Sequence, residues 1–87
     1  MISFAKDPEA WALLMYQLDD TLDHLQKLID QMALDGDIDE EDFQIQLSHI
    51  YAHLNRSWYL RSGESIGDSD TAWIEASKFP TDLEPIG

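Results

Sequence analysis

Cysteine is absent from this chain. That excludes a disulfide framework and any thiolate metal site, and it inclines the reading towards a reducing compartment. Basic residues are scarce: five Lys and Arg stand against eighteen Asp and Glu, for a formal charge of −13. A field of that sign opposes direct contact with DNA, RNA or an anionic membrane. Long apolar runs are missing too. No stretch approaches the ~20 residues needed to cross a bilayer, and Met1–Lys6 lacks the basic-then-apolar pattern of a secretory leader. The expected location is therefore the cytoplasm. Four glycines and three prolines leave long stretches free of helix breakers.

What is present is apolar enough to fold. Hydrophobic residues make up 44% of the 87, too many for a disordered acidic chain. One domain spanning 1–87 is expected, with a modest core, since chains of this size bury only about 60–65% of their unfolded surface. A deep, dry enzyme pocket is hard to build from so little material.

Residues 8–34 read as one long helix. Asp7 suits the N-cap, Pro8 the first helical position, and Glu9 the positive end of the dipole. Trp11, Met15, Leu18, Leu22, Leu25, Ile29 and Met32 recur at alternating spacings of four and three, an unbroken heptad seam that Leu14 and Leu28 widen. Gly36 is placed to stop it. A second helix, 40–61, follows Asp39 as N-cap and carries Phe43, Leu47, Ile50, Leu54 and Trp58 on one face, with Tyr51 at its edge. Gly63 is its expected stop. The short connection makes the two helices antiparallel neighbours. Ser69 or Asp70 caps a short third helix, about 70–78, that Pro80 ends, and 79–87 reads as an extended tail. The expected fold is all-α: an antiparallel helical hairpin with a short C-terminal helix, dimerising into a four-helix-bundle-like core. The open hairpin faces have two candidate covers, which are compatible: Trp73, Ile74 and Phe79 folding back as a lid, or a second hairpin pairing with the first.

Four constellations are candidates for chemistry or recognition. Asp35, Gly36, Asp37, Ile38, Asp39 and Asp42 match the second half of a calcium-binding loop. The first half would need acidic oxygens at Gln31 and Ala33, so a helix stop followed by a helix start is the better account. His49 and His53 lie four apart on the second helix, and Asp20 and His24 share that spacing on the first, which would complete a four-ligand metal set. On a helical wheel His24 lies away from the heptad seam and His49 away from the Phe43–Leu54 face. The two pairs then point outward, able to meet only at a flank or between protomers, and no metal or other cofactor is assigned.

Arg56, Trp58, Tyr59 and Arg61 set cationic and aromatic residues together in an acidic background, the composition of binding hot spots. Leu13, Tyr16, Ile45, Tyr59 and Leu60 fall off the apolar stripes and suggest a second interface. The acidic connection, Asp35, Asp37, Asp39, Glu40, Glu41 and Asp42, is the candidate surface for a cationic partner, extended by Asp19, Asp20, Asp23 and Asp30. No supported nucleophile or glycine-rich phosphate cradle is visible. The sequence reads as a non-catalytic protein-binding module, an adaptor or regulator. An inhibitor of a cationic protein, as a nucleic-acid mimic or an immunity or antitoxin protein, is the alternative, and a metal-binding bundle the third.

Overall fold

The computed structural model describes residues 1–87 and is built from helices alone. α1 runs Pro8–Asp35, α2 Glu40–Tyr59, a single 3-10 turn Leu60–Ser62 follows α2, and α3 is Asp70–Ser77. α1 and α2 form the hairpin, and α3 lies against α2. No helix is long and apolar enough to cross a membrane.

The helix ends follow local chemistry. Asp7 Oδ1 accepts a hydrogen bond from the Ala10 amide at 3.1 Å, one of the four amides a helix start leaves unpaired. At the other end Gly36 takes φ 72°, and its amide reaches Met32 O at 2.9 Å. That left-handed stop accounts for the acidic connection without a calcium loop, and Gln31 sits inside the last turns of α1. Ser69 caps α3 by accepting from the Ala72 amide at 3.1 Å. α2 stops two residues short of the expected 61, because the chain tightens into the 3-10 turn before Gly63 at φ 85°. The N-terminus closes onto this corner through a bond from the Ile2 amide to Arg61 O at 2.8 Å.

The faces that meet differ from those the heptad pattern suggests. The line of α1 against α2 is Leu14, Gln17, Thr21, His24, Leu28 and Gln31. Leu14 and Leu28 are its buried apolar members, Gln17 and Gln31 bond directly to α2, and His24 Nε2 lies 3.2 Å from His49 Nε2. The seam itself sits about 100° further round the helix. Its members are half open: Met15 is 46% exposed, Leu22 62% and Ile29 51%. On α2, Leu47, Tyr51 and Leu54 are displaced by about the same angle from the line Gln46, His53 and Ser57, and they too are exposed. In antiparallel helices, equal rotations of the same sense bring both stripes to one side of the hairpin plane. The result is a two-helix layer with one open apolar face.

What remains inside is small. The buried apolar residues are Leu14, Leu28, Ile50, Leu60 and Ala76, and His53, Asn55, Arg56 and Ser57 are buried beside them. The third helix is not a lid across the hairpin. It packs on α2 through buried Ala76, with Trp73 against the Arg56 guanidinium (4.3 Å to the ring centroid) and Phe79 stacked on Tyr51 (6.1 Å between centroids). Ile74 stays 56% exposed.

The chain is correspondingly extended. Its radius of gyration is 14.8 Å, against about 12 Å for a typical domain of this length. It exposes 6629 Å², where a monomer of 10.0 kDa typically exposes about 5,200 Å².

Candidate functional site

Three histidines converge where α1 and α2 pass each other. Each offers one ring nitrogen, and these atoms lie within 4.8 Å of one another. His49 Nε2 is 3.2 Å from His24 Nε2 and 3.0 Å from His53 Nε2. The wheel positions are those read from the sequence, but their consequence is reversed. Because the apolar seam does not face α2, turning away from that seam turns His24 towards α2, and His49 and His53 turn towards α1. The pairs expected to point outward therefore meet at the flank of a single chain. Asp20, the expected fourth member, is not among the converging groups. Its charge acts from nearby on His53 and Arg56.

The cluster is graded from inside to outside: His53 is buried, His24 intermediate and His49 exposed. A cleft lined by His24, Lys27, Ile45, Gln46 and His49 opens it to solvent. Behind it, His53 Nδ1 is 2.8 Å from Gln17 Oε1, and Arg56 Nε is 3.3 Å from the same oxygen. An amide oxygen only accepts, so the short approach places the proton on His53 Nδ1. His53 Nε2 is then left as a bare lone pair facing His49. Arg56 Nη2, 3.1 Å from Nδ1, makes a van der Waals approach in this tautomer. Desolvation first, then the positive charge of Arg56, holds the His53 imidazole below its ordinary pKa.

Arg56 is itself buried without a carboxylate bonded to it. Its Nη1 donates to Ser77 Oγ at 2.6 Å and its plane lies over Trp73, while Asn55 Nδ2 donates to Ser77 O at 2.9 Å. Arg61 lies over the Trp58 ring at 3.9 Å, and Asp82 accepts from both Trp58 Nε1 and Arg61 Nη2 at 3.0 Å. Those bonds hold the Asp82 carboxyl below its usual pKa, Trp58 contributing most. Arg56, Trp58 and Arg61 tie α3 and the C-terminal segment to α2; Arg56 is buried, while Trp58, Arg61 and the 38% exposed Tyr59 each keep part of their surface open. Leu60, expected at a second interface, is core, whereas Leu13, Tyr16 and Ile45 are exposed.

The carboxylates fall in two zones. Asp19, Asp23 and Asp30 share the outward side of α1, opposite α2. Asp35, Asp37, Asp39, Glu40 and Glu41 are exposed around the hairpin tip. Asp42 faces inward instead, accepting from Gln31 Nε2 at 3.0 Å and Gln46 Nε2 at 3.1 Å, which lowers its pKa. No protein-family model, curated protein or solved structure matches this chain.

Proposed function

We propose that this chain is a protein-binding module without an activity of its own, and that it works as a homodimer. The observation behind this reading is the open apolar face: Met15, Leu18, Leu22, Leu25, Ile29 and Met32 of α1 beside Leu47, Tyr51 and Leu54 of α2, all 37–62% exposed. With large side chains carrying on the order of 150 Å² each, half of nine such residues is roughly 700 Å² of continuous apolar surface. Monomers rarely carry a patch larger than about 300–600 Å², and a standard interface takes about 800 Å² from each partner. A second copy suits this face because each hairpin brings the same two seams, and four such helices close a bundle core. The surface in excess of a typical monomer is about 1,400 Å², enough for that interface with the extended tail taking the remainder. Adaptor contacts then fall to surfaces the dimer leaves free, among them Leu13, Tyr16 and Ile45.

Sedimentation or light scattering at high micromolar concentration tests the dimer. The parent is expected at twice the 10.0 kDa chain mass, and Leu22→Glu at the chain mass with its helix content kept. A monomeric parent would end this reading.

The carboxylate zones favour a second reading, in which the module occupies a cationic protein. A stripe of Asp19, Asp23 and Asp30 continuing into the acidic tip suits fast, salt-sensitive association with a basic groove. A basic partner held at low salt and released at high salt would support it.

A further inference from the structure

We infer that His24, His49 and His53 form a binding site for a divalent transition-metal ion of the zinc class, held by three imidazole Nε2 atoms with a fourth position open to solvent. Three features of the cluster lead there independently of the dimer.

The first is valence. An imidazole nitrogen has one in-plane position, holding either a proton or a lone pair. His49 Nε2 makes two close approaches, to His24 Nε2 at 3.2 Å and to His53 Nε2 at 3.0 Å. With neutral rings, one N–H cannot point along both directions, and one lone pair cannot accept along both. At most one of the two approaches is therefore a straight hydrogen bond, and the other is bent or unbonded. A single cation among the three nitrogens satisfies all of them together.

The second is distance. Imidazole nitrogens bind Zn²⁺ at about 2.0–2.1 Å, and two corners of a tetrahedron of that radius are about 3.3–3.4 Å apart. The two short separations are already within a few tenths of an ångström of that edge. The third separation, His24 to His53, is within 4.8 Å, and the His24 ring, stacked on His53 at 5.3 Å between centroids, has to turn together with exposed His49 to close it around an ion.

The third is support from behind. Gln17 Oε1 accepts a hydrogen bond from Nδ1–H of buried His53, which fixes the tautomer and aims Nε2 into the cluster. Metal-ligating histidines are oriented by such outer partners as a rule. His49 and His53, four apart on α2, share a helix face, and His24 reaches across from α1. A bound ion would bridge the hairpin midway along its length. Three neutral nitrogen ligands favour Zn²⁺, Co²⁺, Ni²⁺ or Cu²⁺ over Mg²⁺ and Ca²⁺, which take oxygen. The open position faces the cleft of Lys27, Ile45 and Gln46 and would hold water.

The experiment uses the full chain made without a histidine tag and stripped with chelator. It is titrated with ZnCl₂ by calorimetry and thermal melting, and with CoCl₂ by visible absorption. The expected result is one Zn²⁺ per chain with a Kd of about 1 µM or tighter. A rise in Tm on the order of 10 °C is expected at a hundredfold excess over Kd. Co²⁺ should give the intense visible band of a four-coordinate ion. MgCl₂ and CaCl₂ should leave Tm unchanged. His49→Gln, at an exposed position that leaves the metal-free melt near the parent's, should weaken Zn²⁺ binding by more than about 100-fold. Gln17→Met should cost about 10–100-fold, the range for an outer partner. Absence of a Zn²⁺-dependent shift would overturn the assignment and leave a proton-sharing cluster. Zn²⁺ binding untouched by His49→Gln and His24→Gln would overturn it equally, by placing the ion on the carboxylates.

Discussion

Leu28 and Leu22 lie on the same helix, six residues apart, and are chemically identical; the structure separates them. Leu28 is 3% exposed and lies in the line that meets α2, while Leu22 is 62% exposed on the open face. Truncating a buried leucine to alanine costs about 2–5 kcal/mol, transfer and cavity together. A domain of this length holds roughly 4–13 kcal/mol in total. Leu28→Ala should therefore remove a large share of the stability and lower Tm by more than about 10 °C, whatever the oligomeric state.

For Leu22→Ala the outcome depends on what covers it. In an isolated chain only about a third of its surface is shielded, worth less than about 1 kcal/mol, and the better helix propensity of alanine offsets part of that. In a symmetric dimer the residue is buried twice, and the loss is about 4 kcal/mol or more per dimer. That corresponds to roughly a thousandfold weaker association. Urea unfolding of parent and both variants, at two protein concentrations tenfold apart, separates the cases. The expected pattern is a parent midpoint that rises with concentration, a severe Leu28→Ala, and a Leu22→Ala that loses the concentration dependence. A midpoint independent of concentration, with Leu22→Ala within about 0.5 kcal/mol of the parent, would refute the dimer. A mild Leu28→Ala would refute the assignment of the inner seam.

Two further outcomes are expected. Gly63→Ala should destabilise by about 1–2 kcal/mol, because φ 85° disfavours a side chain and the new Cβ would stand 2.9 Å from Ile2 Cγ2; a melt unchanged from the parent would mean the corner is not held as described. The pH dependence of the metal-free protein follows from His53, whose pKa is lower folded than unfolded. The unfolded chain takes up a proton as pH falls through about 6.5, and the folded chain resists it, so stability is full above that pH and is lost below it. His24, His49 and Arg56 face the same ring and oppose its charging, while Asp20 favours it. Tm in chelator should fall between pH 7.5 and 5.5, and a flat or rising Tm would contradict this.

Much of the local structure was legible in the chain. Asp7, Gly36, Gly63 and Ser69 act through backbone amides and dihedral angles within a few residues, so they can be read without knowing the fold. The heptad seam was legible as a pattern and misleading as a contact. Periodicity states which residues share a face, and the largest apolar face is naturally taken for the one that meets the neighbouring helix. Here the neighbour meets a mixed line of Leu, Gln and His, because Gln31, Gln46 and Asp42 bond one another across the hairpin, as do Gln17, His53 and Arg56.

That single rotation decides the rest. It turns the histidines towards one another and leaves the leucines open, and no spacing rule reveals it. The arginines were legible as unusual in so acidic a chain, but not their partners, which come from Ser77 and Asp82, more than twenty residues further on. The amino-acid sequence by itself determined that this is an acidic, all-helical hairpin with a short third helix, since those properties depend on composition, period and caps. Only the tertiary structure decided which face is core, which is open and where three imidazoles meet. Those outcomes depend on how one helix is rotated against another, a choice set by side-chain bonds between residues far apart in the chain.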